Sequence, residues 1–261
     1  MTDTTVTGDW GRRLSWVALA LSVGGLAAAL VAAAGSGAGA WSFFVGFNIL
    51  RYAFYAAMAG GVLAIVAFIV ARRSGARTGW LNLSALVLAA AFGAYLMSHV
   101  STARSVPAIH DATTDLRDVP SFRTLSVRAD NLENIPDDDR PELAALDPES
   151  RWKAIHREAY GDLRGLRLAA NPAEAVRRTE ALVRARGWQL AKVDRSAGTV
   201  EATATTLFFR FKDDVVVRVR ADPARPGGSI VDMRSISRVG GSDVGVNAAR
   251  IRAFLADLQA A

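Results

Sequence analysis

Three long apolar stretches occupy the first hundred residues, and none follows. Leu14–Ala34, Tyr52–Val70 and Leu81–Val100 carry no charged residue. A helix rises ~1.5 Å per residue, so about 20 residues cross the ~30 Å hydrocarbon core. Soluble core helices keep a polar stripe along one side, and these stretches have none. Trp80 opens the third, and Trp41, Phe43, Phe44, Tyr52 and Tyr55 gather around the start of the second. Such aromatics favour the headgroup boundary. The pattern predicts three transmembrane helices within residues 1–100.

Arginines orient the spans. Arg12 and Arg13 precede the first, and Arg72, Arg73 and Arg77 lie between the second and third, whereas the intervening loop has only Arg51 at its edge. The positive-inside rule places the N-terminus in the cytoplasm and everything after Val100 outside it, in a multi-pass protein of the inner (plasma) membrane. Arg12-Arg13 followed by an apolar run and Gly35-Ser36-Gly37-Ala38 also imitates a cleavable or twin-arginine signal. The run is long for such a signal, and cleavage would leave the exterior placement unchanged.

After Val100 the periodicity changes. Residues 101–148 hold five of the eight prolines (Pro107, Pro120, Pro136, Pro141, Pro148) and the run Asp137-Asp138-Asp139. Proline removes amide donors and keeps its predecessor out of helix, so an extended arm with little regular structure is expected. Asp147-Pro148-Glu149 starts a helix to about Tyr160, and Asn171-Pro172-Ala173-Glu174 starts one that Gly187 ends. A last helix from Asn247 shows Ile251, Phe254, Leu255 and Leu258 on one face.

Between these helices lie strand patterns: Trp188–Asp194, Thr199–Thr206, Asp214–Ala221 and Ser229–Arg238, joined by turns at Arg195-Ser196-Ala197-Gly198 and Pro223–Gly228. The expected fold is three transmembrane helices followed by an α+β domain at 149–261, with about four antiparallel strands and about three helices. Alternation directs Ala202, Ala204, Val217, Val219, Val231 and Met233 to the helices. Glu201, Thr203, Thr205, Arg218, Arg220, Asp232 and Arg234 point the other way. The leading reading of that second face is a solvated surface with cross-strand charge pairs. The sharper one is a surface for an anionic or polar partner.

Charge changes this picture little. The formal +6 invites a nucleic-acid reading, but residues 1–100 hold six arginines against Asp3 and Asp9, a net +4 that membrane orientation explains. The other 25 basic residues face 23 acidic ones, which leaves +2 and argues against nucleic acid. The absence of cysteine excludes disulfides, cysteine-ligated zinc and thiol catalysis.

Four segments then appear in order: Ile109–Asp115 (Ile-His-Asp-Ala-Thr-Thr-Asp), Phe211–Arg220 (Phe-Lys-Asp-Asp-Val-Val-Val-Arg-Val-Arg), Val231–Gly240 and Ser242–Ile251. Together they resemble the DUF1499 family, a domain of unknown function often found behind membrane spans. The resemblance covers about residues 109–261. It implies a domain identity and carries no activity with it.

Each segment also reads on its own chemistry. His110, Asp111 and Asp115 offer one nitrogen and two carboxylates, short of a metal site without further ligands, and such runs usually cap turns. Asp213-Asp214 offers paired carboxylates, but strand neighbours face opposite sides, so a polar turn is expected there. Gly240–Asn247 is a glycine-rich loop entering a helix, flanked by Arg238 and Arg250. It lacks the spacing of phosphate or dinucleotide fingerprints, and is expected to be a strand-to-helix crossing capped by Asn247, with anion binding as the second reading. His156 is expected to be a surface or packing residue, and His99 to reach water at the outer boundary.

The reading is therefore a non-catalytic domain held outside the cytoplasm, binding or supporting an envelope component, with no cofactor. Its partners are the lipid bilayer and an envelope protein or anionic ligand. The ligand-binding set comprises Arg218, Arg220, Asp232, Arg234, Arg238, Ser242, Asp243, Asn247 and Arg250, with no metal beyond the weak candidates His110, Asp111 and Asp115. The competing class is an envelope enzyme, such as a metal-assisted hydrolase, working near His110/Asp111/Asp115 or the Gly240–Asn247 loop. A transporter fits poorly, because the spans hold no internal ionisable residue.

Overall fold

Alanine and glycine on facing helix sides let α1 (Thr4–Gly37) and α2 (Phe43–Ser74) run against each other as a hairpin. The computed structural model describes residues 4–133 and 135–260. A Cβ on Gly25 would lie 2.6 Å from the Ala53 carbonyl oxygen, and one on Gly60 would lie 2.7 Å from the Ser22 amide nitrogen. Helices approach this closely in lipid because small residues admit the neighbouring backbone. Ser42 caps the start of α2, and Gly75, at φ 72°, ends it. Ala18, Ala64 and, from α3 (Gly79–Ser105), Ala85 form one buried cluster. Ser15 donates to Thr78 at 2.9 Å across the same unit.

Large side chains such as Trp16, Phe44, Tyr52, Ile65, Phe68 and Leu83 point outward, as expected where lipid is the solvent. Trp10–Gly37, Phe43–Ser74 and Gly79–Ser105 are long and apolar enough to cross a membrane. The expected spans lie inside these three helices, which run further at their ends to take in Arg12, Arg13, Arg72, Arg73 and Trp80, while Trp41 and Arg77 lie in the connections. The described residues divide into two units: residues up to Ser101 together with Leu207–Arg210, and the remainder from Thr102.

The second unit is α+β, built on one antiparallel sheet. Its strands are β1 (Asp111–Thr113), β2 (Leu166–Leu168), β3 (Gln189–Asp194), β4 (Thr199–Thr205), β5 (Lys212–Ala221) and β6 (Ser229–Ser237). The order is β1-β6-β5-β4-β3, and β2 also pairs with β6. β1 lies opposite 234–236 and β2 opposite 229–231, so two short strands share one edge end to end. The sheet thus has six strands rather than about four. The extra two are three residues long, too short for alternation to register.

Helices α5 (Pro148–Ala159), α6 (Pro172–Ala185) and α7 (Val246–Ala260) supply the core partners of the sheet, with α4 (Pro141–Ala144) a single turn. Asp147 and Asn171 cap α5 and α6 by accepting the amides of Ser150 and Glu174. Gly187, at φ 66°, follows the end of α6, and Gly198, at φ 67°, closes the β3–β4 turn. Ala202, Ala204, Val217, Val219, Val231 and Met233 all join the core with Val176, Val183, Ile251, Phe254 and Leu258. Trp188 stacks on Phe254 at 5.2 Å.

The other face is not an open, solvated surface. Glu201, Thr203, Asp214 and Asp232 are buried there. The segment between α3 and α4 covers it: the amides of Arg123, Thr124 and Leu125 all donate to the Glu201 carboxylate at 2.7–3.1 Å. Ile109, Ile135 and Leu143 from the proline-rich region enter the core. Proline scarcity of helix is real in this stretch, yet its backbone amides find side-chain acceptors on the sheet instead of solvent.

Candidate functional site

Charged residues on the covered face sort into three ion-paired groups, and a fourth lies on the core side. At one end, Asp232 of β6 sits between Arg218 and Arg220 of β5, at 3.3 and 2.6 Å. Both arginines also reach Asp115, and Arg218 bonds Asp118 at 2.8 Å. Burial pushes the Asp115 carboxyl up, but the amides of Asp118 and Arg117 and the two guanidinium groups outweigh it, and its pKa is lowered. Thr114 donates its hydroxyl to Asp232 at 3.4 Å.

Next along β6, Arg234 holds Asp111 through two bonds of 3.0 and 2.6 Å, its guanidinium also lying over the Phe122 ring. Asn131 donates to the same carboxylate at 2.9 Å and turns its carbonyl oxygen to His110 Nε2 at 3.1 Å. His110 Nδ1 lies 3.4 Å from the Gly241 carbonyl. A third group pairs Asp214 with Arg238 at 2.8 Å, with Thr203 bonded to both.

On the core side, Asp213 receives Arg250 of α7, while Asn247 bonds Ser235, Ser237, the His110 carbonyl and Arg250. Asp213 and Asp214 are therefore buried β5 residues rather than a polar turn. Their side chains leave opposite faces and each meets an arginine distant in sequence, Arg250 and Arg238.

The Gly240–Asn247 loop is a strand-to-helix crossing, but Asn247 does not cap it. Asp243 accepts the amides of Gly245 and Asn247 at 2.8 and 2.7 Å. Burial raises the Asp243 pKa against the pull of these two amides. Ser242 accepts the Val244 amide at 3.1 Å. Val244 and Gly245 adopt positive φ of 55° and 77°, so the chain turns tightly enough for the aspartate to reach forward. The protein's own carboxylate thus occupies the α7 terminus that an external anion would need. Arg128 ties the loop back by donating to the Gly240 carbonyl at 2.7 Å.

His156 is a packing residue. It accepts the Thr113 amide at Nε2, 3.0 Å away, which leaves the proton on Nδ1. Trp152 and Tyr160 flank it edge-on. Burial lowers its pKa to about 4 and raises that of Tyr160 to about 12.

Among the described residues, no group of three or more His, Asp or Glu side chains forms a metal-holding cluster. His110, Asp111 and Asp115 are each already engaged, by Asn131, Arg234 and the Arg218–Arg220 pair. Of His110, Asp115, Asp232 and Asp243, only Asp115 and Asp232 share partners, Arg218 and Arg220, while His110 bonds Asn131 and Asp243 the amides of Gly245 and Asn247. Two shallow depressions, of about 460 and about 270 Å³, are lined by Ala129, Leu132, Ile135 and Arg151, and by Leu163, Leu166, Arg252 and Leu255. Neither contains any of the four.

Sequence reasoning missed Asn131, Arg128, Asp118 and Asp214 as members of these groups. Their partners lie 20 to 112 residues away along the chain, and no local spacing signals such pairing.

Residues 111–258 match the family model described as "Protein of unknown function (DUF1499)". The match covers more than half of the chain. This protein belongs to the DUF1499 family. A comparison with curated proteins gives no match. The DUF1499 region begins with β1 and ends within α7, so it includes all six strands and the segment that covers them. Its chemistry is that of a polar face organised by arginine–carboxylate pairs.

Proposed function

We propose that this membrane protein displays its DUF1499 domain on the non-cytoplasmic side, as a non-catalytic module that binds or supports an envelope component. The observation that carries this reading is the pairing of Arg218, Arg220, Arg234, Arg238 and Arg250, each with a carboxylate. A catalytic site needs reactive groups left available to substrate, and here those groups neutralise one another.

In this reading residues 1–100 form the membrane part, 101–148 an arm that supplies the edge strand β1 and covers the sheet, and 149–261 the rest of the domain. Of the proposed ligand-binding residues, Arg220 and Arg238 keep side-chain exposures of 44% and 41%. Asp232 and Asp115 hold Arg220, and Asp214 with Thr203 holds Arg238, while Arg218, Arg234, Ser242, Asp243, Asn247 and Arg250 are engaged in the neighbouring networks. Arg220 lies level with Ile230 and Arg238 beside Lys212, at opposite ends of β5, so each would meet its own anionic group on an envelope protein or polymer.

The five arginines at one end of the spans support the orientation. A C-terminal alkaline phosphatase fusion should be active and the matching fluorescent-protein fusion dark. The reverse pattern would sink the placement. A photo-crosslinking residue at Arg220 or Arg238 should capture a discrete envelope product, and no product at either position would remove the binding role.

A further inference from the structure

The β4–β5 connection carries Leu207-Phe208-Phe209-Arg210 where a hairpin normally carries glycine, asparagine or aspartate. Thr206 and Phe211 close it: the Thr206 amide donates to the Phe211 carbonyl, and the Phe211 amide to the Thr206 hydroxyl, both at 2.9 Å. Phe209 and Arg210 sit at φ 41° and 54°, a region that side chains other than glycine, asparagine and aspartate rarely adopt. Leu207 is 81% and Phe208 49% exposed.

Apolar side chains displayed in a strained turn would be a liability in water. Their surroundings explain them. Leu207–Arg210 group with the spans in one unit. There Phe209 stacks on Phe47 at 4.8 Å, Phe208 meets Tyr95 edge-on at 6.4 Å, and Arg210 lies against Gly37. Gly37 ends α1, Phe47 lies in the first turns of α2 and Tyr95 in the last turns of α3. All three belong to the end of the spans opposite Arg12, Arg72 and Arg77. Tyrosine and tryptophan at such ends mark the depth of the lipid headgroups.

We propose that Leu207-Phe208-Phe209 is a second membrane-binding element, a hairpin tip that enters the headgroup layer with its apolar side chains while Arg210 faces lipid phosphate. The occupant is the bilayer itself, because the tip belongs to the same unit as the helices that cross it. This inference rests on α1–α3 being membrane spans, and not on which compartment the domain faces.

The chain has no cysteine, so single-cysteine variants can each be labelled with the environment-sensitive dye NBD. The full-length protein is placed in phosphatidylethanolamine/phosphatidylglycerol nanodiscs containing phosphatidylcholine spin-labelled either near the headgroup or deep in the chain. Leu207→Cys should give blue-shifted emission, quenched more by the shallow label than by the deep one. Ala224→Cys, in the exposed β5–β6 turn, should emit as in water, and Val62→Cys, within α2, should be quenched by the deep label. If Val62→Cys is quenched and Leu207→Cys matches Ala224→Cys, the tip does not enter lipid and the inference fails alone. Blue-shifted Leu207→Cys emission without quenching would mean the tip is buried in protein, such as a second copy, and would also overturn it. Unquenched Val62→Cys would overturn the membrane reading and the tip inference together.

Discussion

Arg234 grips Asp111 through both Nε and Nη2, at 3.0 and 2.6 Å, diagonally across the β1–β6 pair. Asp111 is almost fully buried and Arg234 nearly so, so the bond is screened little by water. It joins the first strand of the domain to the last, and Asn131 and His110 build upon it.

Breaking that pair from one side leaves a buried charge without a partner, which costs about 3–5 kcal/mol. Arg234→Ala should therefore lower the detergent-solubilised protein's unfolding free energy by about that amount. Asp111→Asn, which retains acceptor capacity, should fall short of it. Urea titration followed by far-UV circular dichroism provides the comparison, and equal, near-zero losses would show that the pair contributes nothing.

Glu201 should control docking of the arm over the sheet. Hydrogen bonds to charged groups contribute about 1.5–3 kcal/mol each, equivalent to about tenfold to hundredfold in an opening equilibrium. In Glu201→Ala, the amides of Arg123, Thr124 and Leu125 should exchange with deuterium faster by that factor, while core amides of β5 stay protected. Unchanged exchange at these three amides would contradict the role.

Stability should depend on His156. Its pKa in the folded chain is lowered from 6.5 to about 4, chiefly by burial. The unfolded chain takes up this proton as pH falls through 6.5, the folded chain only near 4. The stabilisation is therefore complete above pH 6.5 and is lost as pH falls from there to 4. Between pH 7.5 and 5 the loss from this group is about 2 kcal/mol. His156→Gln should flatten that part of the stability profile, and a profile as steep as the parent's would assign the effect to other groups.

Asp243 should cap the start of α7 through the amides of Gly245 and Asn247, and burial, which raises its pKa, makes a neutral acceptor there less costly. Asparagine caps helices as well as aspartate, whereas alanine costs about 1 kcal/mol, with an upper range near ~2 kcal/mol. Asp243→Asn should be close to neutral in thermal unfolding and Asp243→Ala clearly destabilised. Equal losses would point to the charge instead of the cap.

The parts legible in the sequence were those set by neighbours along the chain. Span length and arginine placement, the Asn171 and Asp147 caps, the Gly198 turn and the inward set Val217, Val219, Val231 and Met233 all follow from short-range periodicity. The candidate site was legible as a roster and not as an arrangement. Arg218, Arg220, Asp232 and Arg234 were placed on the correct face by alternation. What covers that face depends on contacts such as Glu201 with Leu125 and Arg218 with Asp118, 76 and 100 residues apart.

The same distance explains the two local errors. Asp213-Asp214 resembles a turn because paired aspartates favour exposed, flexible chain, and only Arg250 and Arg238 arriving from α7 and the end of β6 make their burial tolerable. Asn247 resembles a cap because it stands at a helix start, but a fold that brings Ser235 and the His110 carbonyl to it gives its amide better partners. Sequence alone determined the apolar helices and the strand faces, because hydrophobic period and local capping are properties of adjacent residues. Tertiary structure decided that the polar face is closed by ion pairs and a covering segment. Whether a charge meets water or a countercharge depends on which distant backbone folds over it.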